Sequence, residues 1–424
     1  MSLTQAVYEA PRREPTPEET QILEYMNRFR ADPSAEADLI APPDRKDMGV
    51  DWKLFREEMK RLKPMPPLVF NLELLDSARK HSYYMIHNGL GHTEEAGKTG
   101  YTGATPSDRV KAAGYKGFGG AENAYAGSQG AWHSHWGFVV DFGEGPGGMQ
   151  PERGHRRNMI GAHREVGPGG VPTKRGLSVT HNFGSRDVRM AGGVVYIDHN
   201  NNKFYDPGEG LGDVRISGSG GEDVATWKSG AFALDLKGQG AVTLTASIDG
   251  EKFTKTFPAG ADNVKFDWSV PAAVSLAKAD KYLEAVEKAP DPRKAAINLY
   301  HHTRGLYVDA ERKAKIDALT KDVGPDLDAR QKTVLEALKD DEVPGLQKIL
   351  DEARKPFKGT DADAWFEDAE TFGKMKRGVS TFLKQPKPSD RDRRLMVQAL
   401  EAQRKALKTA FKADVDLLIA KVRR

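Results

Sequence analysis

The spacing of apolar residues changes twice along the chain, and each change predicts a different kind of structure. In the first stretch the rhythm is helical. Thr16 is an N-cap, Pro17 the first helical residue, and Glu19 completes a capping box. Ile22, Met26 and Phe29 then fall on one face until Asp32-Pro33, which is expected to stop the run. A second helix starts at Asn71 and carries Leu74, Ala78, His81 and Met85 on one side. A short third helix is capped by Thr105, led by Pro106, packed by Val110 and Ala113 and ended by Gly114. Leu177, Val179, His181 and Phe183 alternate, as in a strand with one buried face.

From about Met190 the period becomes two. Val194-Val195-Tyr196-Ile197, Val214-Arg215-Ile216, Phe232-Ala233-Leu234, Val242-Thr243-Leu244-Thr245, Phe253 to Phe257 and Val264-Lys265-Phe266 are short β-type runs separated by Gly, Asp and Asn. That spacing predicts a small β-sandwich. From Ala272 onward the helical period returns without strand signal, in Val334, Leu335 and Leu338 and again in Leu395, Val397, Leu400, Leu407 and Phe411. Breakers at Pro290-Asp291-Pro292, Gly324-Pro325, Val343-Pro344-Gly345 and Pro386-Lys387-Pro388 divide it into the helices of a bundle. The expected organisation is an α+β domain over residues 15–187, a β module over 190–270 and an all-α region over 272–424.

A chain of 424 residues exceeds what one core usually holds, in keeping with three parts. The formal charge of +3 comes from interspersed acidic and basic residues, so no broad basic face for nucleic acid is expected. No run approaches the roughly 18 apolar residues that would span a bilayer. There is no cysteine, so stability must come from packing. Met1-Ser2-Leu3-Thr4-Gln5 has neither a basic n-region nor an apolar h-region. The expectation is that a signal peptide has been removed and that Met1-Ser2-Leu3 is an expression remnant.

Chemistry concentrates in three segments of the first stretch: Gly91-His92-Thr93, Ala121-Glu122-Asn123 and Gly154-His155-Arg156-Arg157-Asn158-Met159-Ile160. In this order, after Pro67-Leu68-Val69-Phe70-Asn71 and the helical Leu74 to Ser82, they resemble the CAP superfamily over about residues 17–184. Those SCP-like proteins include cysteine-rich secretory proteins, venom antigens, pathogenesis-related proteins and bacterial secreted proteins. The resemblance implies an α-β-α sandwich with two histidines and two acidic residues lining a cleft. His92, Glu122 and His155 match three of these positions, with Ala121 replacing the usual glycine. For the fourth, Asp141 is the best substitute and Glu144 the next. Such a set can hold a divalent metal, zinc at His92 and His155, with water in the open positions. It can also activate water, with Glu122 as general base. The alternative is a cluster that merely fixes loops.

Other histidines read more plainly. His81 lies on an apolar helix face and is a core residue. In Trp132-His133-Ser134-His135-Trp136 the tryptophans share a helix face while the histidines point apart, which is packing rather than ligation.

In the second stretch, Asp198-His199-Asn200-Asn201-Asn202-Lys203-Phe204-Tyr205-Asp206-Pro207-Gly208-Glu209 places oxygen-bearing side chains at positions 1, 3, 5, 9 and 12 of a calcium loop. Asp198, Asn200, Asn202, Asp206 and Glu209 are the candidate ligands, with the carbonyl of Phe204 at position 7. Lys203 stands where glycine normally bends the loop. With its strand-like flanks, this resembles the calcium-binding B repeats of bacterial surface adhesins and related prealbumin-like modules. The alternative is an Asx-rich turn.

Together the resemblances imply a secreted, periplasmic or envelope-associated bacterial protein that binds a lipid, peptide or cell-wall ligand in the cleft. The C-terminal helices are then a docking element for a protein partner. A metal-dependent hydrolase and a structural surface protein with a vestigial cleft are the rival readings.

Overall fold

Thr16 caps the first helix, α1 (Pro17–Ala31), through a capping box closed by Glu19. This computed structural model describes residues 8, 10, 13–41, 49–174, 176–248, 251–270, 272–303, 308–339, 345–385, 388–407 and 411–423. Met1-Ser2-Leu3 and the breakers Val343-Pro344 and Pro386-Lys387 lie outside the described residues. The chain divides into two compact units, residues 1–269 and 270–424.

In the first unit, Asp32 ends α1 and at once caps a further helix, α2 (Pro33–Ile40), by accepting from the amide of Ala35 at 2.9 Å. The sequence had Asp32-Pro33 as a stop only. Proline at the first helical position serves equally well as a start, because its missing N–H would be unpaired there anyway. Next come α3 (Trp52–Arg61), capped by Asp51, and β1 (Val69–Phe70). Asn71 accepts from the amides of Glu73 and Leu74 and starts α4 (Leu72–Asn88). Thr105 and Asp108 form a reciprocal box at α5 (Pro106–Ala112). The unit continues through β2 (Phe118–Ser128), α6 (Ala131–Val140), α7 (Gly154–Ile160), β3 (Glu165–Thr173) and β4 (Gly176–Ser185).

The four strands form one sheet in the order β1-β3-β4-β2. Helix α4 lies on one face, at Gly167 and Gly169 of β3. A Cβ at Gly167 would come within 2.0 Å of the Leu75 amide nitrogen, and one at Gly169 within 2.4 Å of that of Arg79. Phe29 of α1, Phe138 of α6 and Met159 of α7 share a core with Val166, Val179 and Phe183 on the other face. Strand β4, expected to be half-buried, is therefore buried on both faces. Its polar residues are satisfied within the layers, as in the bond from Ser82 Oγ to Thr180 Oγ1 at 2.9 Å.

The period-two segment supplies β5 (Met190–Ile197), β6 (Arg215–Gly218), β7 (Asp223–Ala225), β8 (Ala231–Asp235), β9 (Val242–Ile248), β10 (Glu251–Phe257), β11 (Val264–Lys265) and β12 (Trp268–Val270). One sheet runs β10-β9-β6-β7; in the other, β5 lies between β11 and β12 and also pairs with β8. This segment belongs to the same compact unit as the first sheet. Trp227 meets Phe70 edge to face at 5.8 Å, Ser229 bonds Thr20 at 2.8 Å, and Arg186 bridges Glu165 and Asp235.

The second unit contains α8 (Ala272–Glu287), α9 (Pro292–Thr303), α10 (Ala310–Thr320), α11 (Gly324–Ala337), α12 (Leu346–Arg354), α13 (Asp363–Leu383), α14 (Asp390–Ala406) and α15 (Lys412–Arg423). Val334, Leu338, Phe357, Phe366, Val379 and Leu400 lie in its main core. Pro292 and Gly324 each open a helix. Among the described residues no helix is long and apolar enough to cross a membrane.

Candidate functional site

Glu122 sits on the edge strand β2, opposite Asn182 of β4. Its side chain is almost fully buried and both oxygens are taken. Oε1 accepts from His92 Nδ1 at 2.9 Å and Oε2 from Arg109 Nη2 at 2.6 Å. The Asn182 amide, oriented to satisfy both its ends, donates to the same Oε2 at 3.0 Å and accepts from Ser77. Arg109 reaches this point from α5 with no exposed side-chain surface, and also bonds the carbonyl of His92 at 3.1 Å.

Beneath them lies a second carboxylate. Glu94 accepts from the Thr102 amide at 2.6 Å and pairs with His81 Nδ1 at 2.9 Å. His81 Nε2 faces the carbonyl of Gly91 at 2.9 Å. A carbonyl can only accept, so Nε2 carries a proton, and the bond to Glu94 requires another between the two groups. The buried His81–Glu94 pair is therefore neutral overall, as is Arg109–Glu122. His81 is the core histidine its helix face predicted, and it also holds the loop on which His92 stands. Its Nε2 lies 3.5 Å from Glu122.

The second histidine is built by a helix end. Helix α6 terminates at Asp141 in the left-handed region, φ 63°, which a short polar side chain tolerates. Asp141 is buried; its Oδ2 accepts from the His155 amide at 2.9 Å and its Oδ1 bonds His155 Nδ1 at 2.7 Å. Helix α7 is docked on β2 by amides. Asn158 donates to the Glu122 carbonyl at 3.1 Å and to Asn123 Oδ1 at 2.9 Å, while Asn123 donates to the His155 carbonyl at 3.1 Å. Glu144, the second substitute for the fourth position, lies exposed on the following turn.

The structure thus forms two histidine–carboxylate dyads, His92–Glu122 and His155–Asp141. Both are tied to neighbouring residues of β2, Glu122 and Asn123, whose side chains leave opposite faces of the strand. In each dyad Nδ1 is held by a carboxylate, which orients the ring and, in the neutral imidazole, fixes the tautomer with Nε2 left to meet a solute. The His92 side chain is 52% exposed and that of His155 21%, so both can meet a solute. Glu122 and Asp141 stand behind the imidazoles as orienting groups. Among the described residues, no three His, Cys, Asp or Glu side chains converge as a metal site. Glu94, Arg109 and Asn182 were missed from the sequence, and only Asn158 sits inside a motif that singles it out.

A third imidazole lies on the inner side. His181, opposite Asn123 across the β2–β4 ladder, is fully buried, and neither ring nitrogen has a hydrogen-bond partner among the described residues. It packs on Phe138 at 4.6 Å between ring centres, and Phe138 in turn packs on His155 at 5.1 Å. Burial, with smaller contributions from His135 and His155, pushes its pKa down to about 3. His133 and His135 diverge from α6 as helix geometry requires: His135 is buried on Glu36 at 2.8 Å, while His133 accepts from the Gln129 amide.

The Asp198–Glu209 loop is curled by internal bonds. Asp198 accepts from the amides of Asn202 and Lys203 at 3.1 and 2.8 Å, and Glu209 from those of His199 and Asp206 at 2.9 and 2.8 Å. Asn200 and Asn202 both donate to Asp206 Oδ2, and Gln21 of α1 donates to its Oδ1 at 2.8 Å. Lys203 takes the left-handed backbone, φ 60°, in the place where glycine was missing. The Phe204 ring stacks on Tyr25 at 5.0 Å.

Residues 23–183 match the family model of CAP, the cysteine-rich secretory protein family, which supports assigning this segment to the CAP superfamily. No curated protein and no solved structure matches the chain.

Proposed function

We propose that this chain is a secreted or envelope-associated binding protein, and that its CAP segment recognises a lipid, peptide or cell-wall ligand at the β2 edge. The observation that carries the reading is the pair of outward Nε2 atoms, each oriented by a buried carboxylate. Such atoms accept a hydrogen bond from a ligand donor or coordinate a metal, with their direction fixed beforehand. Retention of the whole chain on isolated envelope material is expected to fall about tenfold or more when His92 and His155 are both replaced by alanine, the loss of one or two hydrogen bonds to an oriented group. Unchanged retention would remove the reading.

Zinc belongs to the same proposal. Histidines backed by carboxylates suit it, and Nε2 of His92 and of His155 are the atoms that would hold it, with water or ligand completing the shell. When bound it would supply Lewis acidity. Calorimetric zinc titration is expected to give heat in the wild type and little in His155→Ala; equal heats would dismiss zinc. For the β module we propose calcium at Asp198, Asn200, Asn202, Phe204, Asp206 and Glu209, supported by the curled backbone and the left-handed Lys203. The same calorimetry extends to calcium, where no heat at millimolar concentration would count against that loop. The C-terminal helices are proposed as a partner-docking element.

The hydrolytic alternative draws less support. Glu122, its intended general base, has both oxygens engaged by His92, Arg109 and Asn182. A proton acceptor at this site would have to be His92 itself, with Glu122 orienting it.

A further inference from the structure

The last turn of α3 and one face of α7 border an open pocket of about 210 Å³. Residues 156, 157 and 160 share one helical face by their spacing, and with Arg153 just before the helix they present three arginines and Ile160 to the pocket. Arg61 and Leu62 line it from α3. The lining surface is almost entirely apolar, from Leu62, Ile160 and the carbon stems of the charged residues, and the basic character comes from the four arginines that surround it.

The charges within it do not cancel. Glu58 accepts from Arg153 at 2.9 and 2.8 Å and from Arg156 at 2.6 Å, so one carboxylate is shared between two cations. Both arginines are fixed further by backbone carbonyls, Arg156 by those of Val139 and Val140 and Arg153 by those of Gln150 and Pro146. They form a rigid positive backing. The two outer cations are differently placed. Among the described residues Arg157 pairs only with Glu152, at 3.2 Å, and their side chains are 69% and 84% exposed. An exposed pair of this kind is weak and easily displaced. Arg61 is exposed and has no carboxylate within ion-pair distance among the described residues. Four cations thus face two anions: one excess charge sits on the fixed Arg153 and Arg156 and one on Arg61, and displacement of Glu152 adds that of Arg157.

We infer that this pocket binds a small oxyanion bearing a short apolar group, an alkyl phosphate in chemical class, with the oxyanion on Arg61 and Arg157 and the apolar group against Leu62 and Ile160. Guanidinium forks match the oxygens of such a group in pairs. Two fixed arginines behind the site add attraction without the cost of ordering them. The anion displaces Glu152, whose exposed partner contact is lost at little cost.

Calorimetric titration of the whole chain with hexyl phosphate and with inorganic phosphate tests this directly. Hexyl phosphate is expected to bind about tenfold more tightly or better, because its chain reaches apolar surface that inorganic phosphate does not. Arg61→Ala and Arg157→Ala, both at exposed positions, are each expected to weaken it about tenfold. Glu152→Gln, which removes the competing carboxylate, is expected to strengthen it. Absence of heat from hexyl phosphate, equal affinity for the two probes, or an affinity untouched by both arginine substitutions would each overturn the assignment.

Discussion

Replacing Arg109 by methionine is expected to destabilise the first unit by about 3–5 kcal/mol, the usual consequence of leaving a buried charge without its partner. Arg109 has no exposed side-chain surface and lies between Glu122, at 2.6 Å, and Glu94, at 3.6 Å. Its loss leaves Glu122 ionised in a nearly closed site, with only His92, Asn182 and the more distant His81 beside it. His92 also loses the bond that Arg109 makes to its carbonyl. Urea unfolding followed by tryptophan fluorescence measures the change, since Trp365 alone among the six tryptophans lies outside the first unit. A loss below about 1 kcal/mol, the scale of an exposed ion pair, would mean that the cluster is not closed as described.

This dependence on Arg109 could not be read from the sequence, for a physical reason. Arg109 meets Glu122 because α5 and β2 pack side by side, and nothing in the spacing of thirteen residues requires it. His92, Glu122 and His155 were legible because each sits in a short motif. Asp141 was legible as a substitute, but its role was not. It works because α6 ends there in a left-handed turn that aims its carboxylate at the first turn of α7. Helix starts at Thr16, Asn71 and Thr105 were readable because capping is local chemistry. Strand β3 was not, since Glu165–Thr173 reads as a Gly/Pro-rich turn. It forms a strand because β1 pairs with it only at Glu165 and Val166, leaving the edge beside Pro168 and Pro172 without a ladder to break. Gly167 and Gly169, on either side of Pro168, let α4 approach the sheet. In β4, alternation predicted one buried face, and the polar face is buried too because helices cover both sides. The link between the first sheet and the β-rich segment rests on single contacts such as Phe70 with Trp227, which carry no sequence signature.

The second large effect concerns acid. His181 is buried without hydrogen bonds to the described residues, and its pKa is pushed down to about 3, first by burial and then by the neighbouring His135 and His155. The unfolded chain takes up this proton near the ordinary value of about 6.5. The folded chain refuses it until far lower pH. The contribution of this residue is therefore complete above about pH 6.5 and declines by about 1.4 kcal/mol per pH unit as the pH falls toward 3. Lowering the pH from 7.5 to 4.5 should cost the wild type about 2–3 kcal/mol through this group alone. In His181→Leu that loss disappears, although other acid-sensitive groups such as Glu36, held down to about 2 by bonds from Arg28 and His135 in spite of burial, remain. The stability difference between variant and wild type should thus shift in the variant's favour by about 2–3 kcal/mol between the two pH values. A pH-independent difference would place His181 in contact with water or a polar partner.

The most direct test of the site is the tautomer of its two outward histidines. Long-range proton–nitrogen NMR correlation of the imidazole rings at pH 7.5 distinguishes a protonated Nδ1 from a protonated Nε2. His92 and His155 should both carry the proton on Nδ1, facing Glu122 and Asp141, with an unprotonated Nε2 directed outward. Protonated Nε2 with bare Nδ1 on either ring would contradict the dyads, and with them the proposed recognition at the β2 edge.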